Sequence, residues 1–331
     1  MKEFQIIEYN SNYKEKLNQY FHKIDPDFSD QYIDFIVDQA VDEEGKYPAF
    51  LVINDKDDIV GCHMYYYNTA KIQGKIEPLL WGHDTFLDKE YRKYAGLDFI
   101  LKTYTRLSYG IGISPVNKII LKKSKGKFWE INNYFFFNIF IIWNLIQRVF
   151  KIKPNLSLCK INKIKTGKQF FELAEKVSDL KIPNNGFWND KDVEADFNRG
   201  EKFMDYRFFN NPIFKYQVYH LNSYSEKDDC YFVVRAIHHK EMKTLCIVDY
   251  RYDVNNLEQL HLILKAANKI AKKNHCGMIH LLTSDKNIEA VIKNRFHIKR
   301  PGDFATPWKY KFDKNRNIIA TTADSDGDYH R

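Results

Sequence analysis

Residues 80–102, LWGHDTFLDKEYRKYAGLDFILK, constrain this chain more than any other stretch. The apolar run Pro78 to Leu87 reads as a strand, Asp88-Lys89-Glu90 as a turn, and a helix begins near Arg92. Leu97, Ile100, Leu101, Tyr104 and Leu107 then recur at helical spacing. A strand leading through a short turn into a helix N-terminus forms an anion trap: the first-turn N–H groups have no intrahelical acceptor, and the helix dipole places partial positive charge there. Arg92 and Lys93 add full charges at the same point.

The flanking sequence supplies a sheet for this unit. Phe4 to Tyr9 reads as a strand, Tyr13 to Phe21 as a helix, and Ser29 to Ala40 as a second helix with Ser29 at its N-cap. Pro48 to Ile53 and Ile59 to Tyr67 are strands on either side of a polar turn, and a loop spans Asn68 to Gly74. A strand near Tyr109 to Ile113 precedes a helix capped by Ser114, with Pro115 at its first position. Phe128 to Phe140 completes the sheet.

On this order, and on Arg92-Lys93-Tyr94-Ala95-Gly96-Leu97 after the strand, residues 1 to about 140 resemble the acetyl-CoA-binding core of the GNAT superfamily of N-acyltransferases. That family places Arg/Gln-x-x-Gly-x-Gly/Ala at this turn; here Ala95 and Leu97 occupy the small positions and Gly96 sits one place off. The resemblance implies acetyl-CoA as cosubstrate. It places the pyrophosphate on the backbone of residues 92–97, the thioester carbonyl beside Thr85, Phe86 and Leu87, and Asn117 at the start of the second strand–helix step. Tyr65, Tyr66 and Tyr67 end a strand beside the cleft and would line the acceptor pocket. His83 or Asp84 would be the base, on opposite faces of one strand, since alternate residues point apart. The family's usual acid is a Tyr on the helix after Asn117; Lys118 to Lys123 contains none, which leaves Tyr134 or solvent.

The second half repeats the order. Thr244–Tyr250, a helix marked by Leu257, Leu260, Leu264, Ala267 and Ala271, and Gly277–Thr283 mirror Leu80–Ile120. Ser-x-x-Asn recurs at Ser114/Asn117 and Ser284/Asn287. The expected fold is α/β (α+β), two tandem GNAT-like domains, each a mixed central sheet flanked by helices, with the second copy degenerate. Its turn, Tyr250-Arg251-Tyr252-Asp253-Val254-Asn255, offers a carboxylate and no glycine. The expected domains are 1–150, 151–315 (opening with a helix over Thr166 to Val177), and a flexible acidic tail over 316–331. The layout is also similar to acyltransferases of bacterial surface-polysaccharide gene clusters, which implies an amino-sugar nucleotide as acceptor.

The net charge of +8 suits a polyanionic ligand, but no Arg-rich run or nucleic-acid motif concentrates it, so no DNA partner is expected. Five scattered cysteines without C-x-x-C read as idle thiols in a reducing compartment. The N-terminus has no apolar signal region, giving a cytoplasmic expectation. The apolar run Tyr134 to Ile146, broken by Asn138 and Asn144, is shorter than the roughly 20 residues a spanning helix needs, so no transmembrane segment is expected. It reads as core or, flanked by Arg148, Lys151 and Lys153, as a membrane-surface contact. His238-His239 with Glu241 reads as a solvated hairpin loop, and Asp324–Asp328 lacks the closing Glu of a calcium loop, so no metal is expected. The expected activity is an acetyl-CoA-dependent N-acyltransferase acting on a small-molecule amine, whose second copy would shape the acceptor site or a homodimer. The alternatives are an aminoacyl-tRNA-dependent transferase of the same fold and a non-catalytic binding protein.

Overall fold

A computed structural model describes residues 3–26, 29–38, 49–103, 108–111, 127–188, 193–222, 230–306 and 317–324. The apolar alternation of the N-terminal third closes into antiparallel strands. β1 (Phe4–Glu8) pairs β2 (Ala49–Asn54), and β2 pairs β3 (Ile59–Ile72). The next strand, β4 (Lys75–Leu87), is reached through Gln73-Gly74, both left-handed (φ 49° and 82°), the conformation that a tight hairpin turn requires. That turn replaces the loop expected over Asn68 to Gly74, and both strands run longer than their apolar cores suggest. β4 pairs in parallel with β5 (Ser108–Ile111) across a helix over Arg92–Thr103, the crossover connection parallel pairing demands.

Helices α1 (Lys14–Ile24), α2 (Asp30–Ile33) and α3 (Arg92–Thr103) complete this unit. Ser29 caps α2, its Oγ accepting from the Tyr32 N–H at 3.2 Å. One core, under α3, gathers Phe50, Val52, Tyr65, Leu80, Tyr91, Ala95 and Phe99.

The second unit has its own sheet, in the order β14-β6-β13-β12-β11-β10-β8-β7. Its strands are β6 (Lys127–Phe137), β7 (Lys163–Thr166), β8 (Gln169–Ala174), β10 (Gln217–Asn222), β11 (Tyr231–His239), β12 (Met242–Arg251), β13 (Met278–Thr283) and β14 (His297–Thr306). Its helices are α4 (Ile141–Val149), α5 (Glu201–Met204), α6 (Leu257–Lys273) and α7 (Asn287–Ile292). Leu260, Ile263, Leu264, Ala267, Ile270 and Ala271 of α6 enter the largest core among the described residues. β12 and β13 pair in parallel across α6, repeating the β4–α3–β5 step.

Three expectations are corrected. Thr166 to Val177 is not a helix: Gly167 (φ 69°) turns the chain and β7 pairs β8, with Phe171 fully buried. The units also do not divide at residue 150. One comprises residues 1–69, 77–129 and 304–310, and the other 70–76, 130–303 and 311–331, because β6 adds to the second sheet beside β13. Nor are residues 317–324 a flexible tail: β15 (Asn317–Ile319) pairs β9 (Val193–Phe197), and Thr322, Ala323 and Asp324 are buried. Residues 325–331 lie outside those described.

Candidate active site

Strand β4 is irregular where the chemistry is expected. Gly82 and Thr85 both abut His63: the imidazole Nδ1 lies 2.6 Å from Thr85 Oγ1, and a Cβ on Gly82 would meet its Nε2 at 2.8 Å. Residues three apart cannot share a face of a regular strand. The extra residue is Asp84, whose φ of 43° lies in the left-handed region, so the pleat inverts there as in a β-bulge.

This overturns the expectation that His83 and Asp84 point apart. Both face the helices α1 and α2, His83 Nδ1 lies 2.9 Å from Asp84 Oδ2, and the Tyr32 hydroxyl donates to that same oxygen. The Trp81 ring lies 5.7 Å from His83 and 5.1 Å from Tyr66, while Phe86 packs edge-on to Phe21 at 5.8 Å. His83 and Asp84 are 4% and 5% exposed. Because the Asp84 carboxylate only accepts, Nδ1 is the donor, and Nε2 is the imidazole nitrogen turned away from it. That atom is buried and has no hydrogen-bond partner among the described residues. A Tyr–Asp–His chain ending in an unsatisfied imidazole nitrogen has the orientation logic of a held general base.

His63, on the opposite face, is the histidine that sequence reasoning missed. Burial pushes its pKa down to about 3, helped by neighbouring His83 and opposed by Asp84. It is therefore a neutral packing group, set edge-on to Tyr65 at 4.5 Å. Tyr65 is core, its hydroxyl donating to Thr103 O; Tyr66 is buried against Trp81, and Tyr67 is half-buried.

The turn after β4 is held from beneath. The Asp88 N–H donates to Val60 O, and the Asp88 carboxylate takes Lys23 at 2.7 Å and Tyr20 at 3.3 Å. Arg92 folds back so that Nε donates to Leu87 O at 2.9 Å, with its side chain exposed. Tyr94 and Ala95 N–H groups bond Tyr91 O, so α3 is already wound there, and the first-turn donors are those of Arg92 and Lys93. Ala95 is buried in the core, Leu97 is exposed, and a Cβ on Gly96 would meet nothing closer than 3.9 Å. The exposed part of residues 92–97 near their backbone donors is thus the first turn, with Lys93 and exposed Tyr94 beside it.

Among the described residues β4 and β5 pair only at Leu80↔Ser108 and Trp81↔Tyr109, and β4 continues past that ladder through residues 82–87. Asn117 and the helix expected after it lie outside the described residues. Tyr134 belongs to the second unit, where its hydroxyl donates to Glu289 at 2.5 Å and burial drives its pKa up.

The equivalent turn of the second unit is closed. Asp253 Oδ1 accepts the Asn255 N–H at 2.9 Å, and Asp253 O accepts that of Asn256 at 2.7 Å. Between β12 and β13, the Tyr250 hydroxyl meets Thr283 at 2.8 Å and the Tyr252 hydroxyl meets Asp285 at 2.8 Å. The chain supplies its own carboxylate where an anion would sit.

No protein-family model and no curated protein matches the sequence. Solved structures do. A probable N-acyltransferase of unknown function from Enterococcus faecalis aligns over 92% of this chain and 72% of its own, with 13% identity and TM-score 0.55. A GCN5-related N-acetyltransferase from Anabaena variabilis aligns over 91% and 72%, with 8% identity and TM-score 0.53. The Saccharomyces cerevisiae N-myristoyltransferase crystallised with myristoyl-CoA and inhibitors aligns over 97% and 86%, with 12% identity and TM-score 0.61. The fold is therefore the tandem GNAT-like α/β architecture that these N-acyltransferases share.

Proposed function

We propose that the chain is an acyl-CoA-dependent N-acyltransferase, with His83 as general base and the first turn of α3 as the pyrophosphate cradle. The observation that carries this reading is the unsatisfied Nε2 of His83, fixed through Asp84 and Tyr32 on the strand that leads into that turn. The N-myristoyltransferase crystallised with myristoyl-CoA supports the donor class.

In this scheme the Arg92 and Lys93 N–H groups and the Arg92 guanidinium hold the CoA phosphates, and the acyl-thioester arm lies along residues 85–87. Past Trp81, where β4 and β5 pair no further among the described residues, β4 backbone N–H groups would polarise the carbonyl. His83 Nε2 takes a proton from the acceptor ammonium. The neutral nitrogen attacks the carbonyl and a C–N bond forms; the C–S bond then breaks, and the second proton of that nitrogen passes through solvent to the departing thiolate. Acetyl-CoA is the first donor to test and an amino-sugar nucleotide the first acceptor; Tyr66 and Tyr67, with Trp81, would line the acceptor side.

Isothermal titration with acetyl-CoA and free CoA tests the cradle, and steady-state acylation tests the base. Arg92→Glu should abolish CoA binding. His83→Ala should lower kcat by about 10²- to 10⁴-fold, the usual worth of a general base, and leave CoA affinity unchanged. A wild-type chain that binds no CoA defeats the reading and turns attention to aminoacyl-tRNA. Full turnover in His83→Ala defeats the base assignment alone.

A further inference from the structure

Helix α4 is built inside out. Its one buried side chain is polar: Asn144 Oδ1 accepts from the Gly277 N–H at 2.5 Å, and Nδ2 donates to His275 O at 3.2 Å. Gly277 permits this seating, since a Cβ there would come within 2.5 Å of the Ile141 backbone. The apolar side chains meanwhile point away from the core. Ile142 is 64% exposed, Trp143 51% and Val149 76%, with Leu145, Ile146 and Phe150 exposed beside them. Single exposed apolar residues are ordinary; a contiguous cluster on one short helix marks a contact surface.

The segment that carries it is basic. No Asp or Glu occurs between Glu130 and Glu172, while Arg148, Lys151 and Lys153 follow the apolar face directly. Among the described residues, Arg148 alone of these three approaches a carboxylate, Glu241, at 3.7 Å. A cleft of 560 Å³ in the same unit repeats the pattern: Lys265, Lys269, Lys272 and Arg295 line it without any acidic residue. Its rim includes Phe296, 80% exposed and 5.9 Å from Phe137. Phe137, which lines this cleft, and Ile141 of α4 both pack on the small cluster of Phe135, Met242 and Met278.

We propose that this face docks on an anionic lipid bilayer, with α4 lying in the interface plane and the cations at the headgroup phosphates. Among the described residues no helix is long and apolar enough to cross a membrane, and α4 is far too short to do so, but an amphipathic segment with basic flanks binds a surface by burying apolar area and attracting anionic lipid. This inference is independent of the transferase reading.

Cosedimentation of the full chain with large unilamellar vesicles tests it, comparing phosphatidylcholine alone with phosphatidylcholine containing phosphatidylglycerol. The fraction bound should rise at least about tenfold on the anionic vesicles and fall as salt shortens the Debye length from about 10 Å. The double variant Ile142→Asp, Val149→Asp, altered only at exposed sites, should lose that binding. No binding, or equal salt-insensitive binding to both vesicles, overturns the proposal. So does a concentration-dependent dimer in sedimentation velocity that the same substitutions abolish while vesicle binding persists. The wild-type salt titration decides the matter even if the double variant misfolds.

Discussion

His63 and His83 show how far environment outweighs residue type. They sit on adjacent strands and face opposite sides of one sheet. One is silenced by burial; the other keeps an unsatisfied nitrogen because a carboxylate holds its far side. The sequence marks His83 and Asp84 as a pair of interest, but not that they touch, because the left-handed φ at Asp84 has no signature in residue type. His63 carries a consequence for pH. Its pKa in the fold is about 3 against about 6.5 unfolded, so the unfolded chain binds a proton first as pH falls. The stability it contributes is complete above about pH 6.5 and is lost on descending toward pH 3, at about 1.4 kcal/mol per pH unit for one proton. Denaturant melts of wild type and His63→Gln between pH 7 and 5 should differ in slope by that single proton; parallel curves would refute it.

At the scale of elements, the strand–turn–helix of residues 80–102 is legible because apolar period and turn chemistry agree over a long window, and the same holds for β12–α6–β13. The hairpin of β7 and β8 is not. Its strands are short, its turn is Gly167-Lys168, and its residues reach burial through β10 and α6, both remote in sequence. The β4 bulge depends likewise on a neighbour, since His63 fills the space above Gly82. Gly82→Ala should therefore push a buried ring and lower stability by about 1–3 kcal/mol, the usual cost of overpacking. A thermal melt unchanged from wild type would show that β4 accommodates the methyl group.

For the molecule as a whole, the second unit is locked by charge as well as by apolar packing. Arg199 takes Asp249 in two bonds of 2.9 and 3.2 Å and Asp324 at 2.8 Å, while Arg251 reaches Asp249 at 3.0 Å and Asp196 at 3.3 Å. These side chains are almost wholly shut from solvent. Burial opposes ionisation of Asp249, but Arg199 and Arg251 hold it well below the usual carboxylate range; for Asp324 burial prevails and its pKa is raised. The segment read from sequence as an acidic tail is a clasp, invisible there because its partners Arg199 and Asp249 are distant in the chain. Removing one member of a buried ion pair strands its partner, so Asp324→Ala should cost about 3 kcal/mol and lower Tm. A Tm equal to wild type would mean that Asp249 alone satisfies Arg199.

The interleaving of the two units has a consequence for synthesis. Phe304 and Ala305 complete the first unit by pairing Ile111 and Gly110, yet they leave the ribosome only after nearly all of the second unit. Domains made of contiguous sequence can fold in turn as they emerge. Here the edge at β5 must wait for its last strand, and the second unit must wait for Asp324. Neither unit corresponds to a fragment that a single stop codon could release, and nascent chains halted near residue 150 would present an unfinished sheet edge to chaperones.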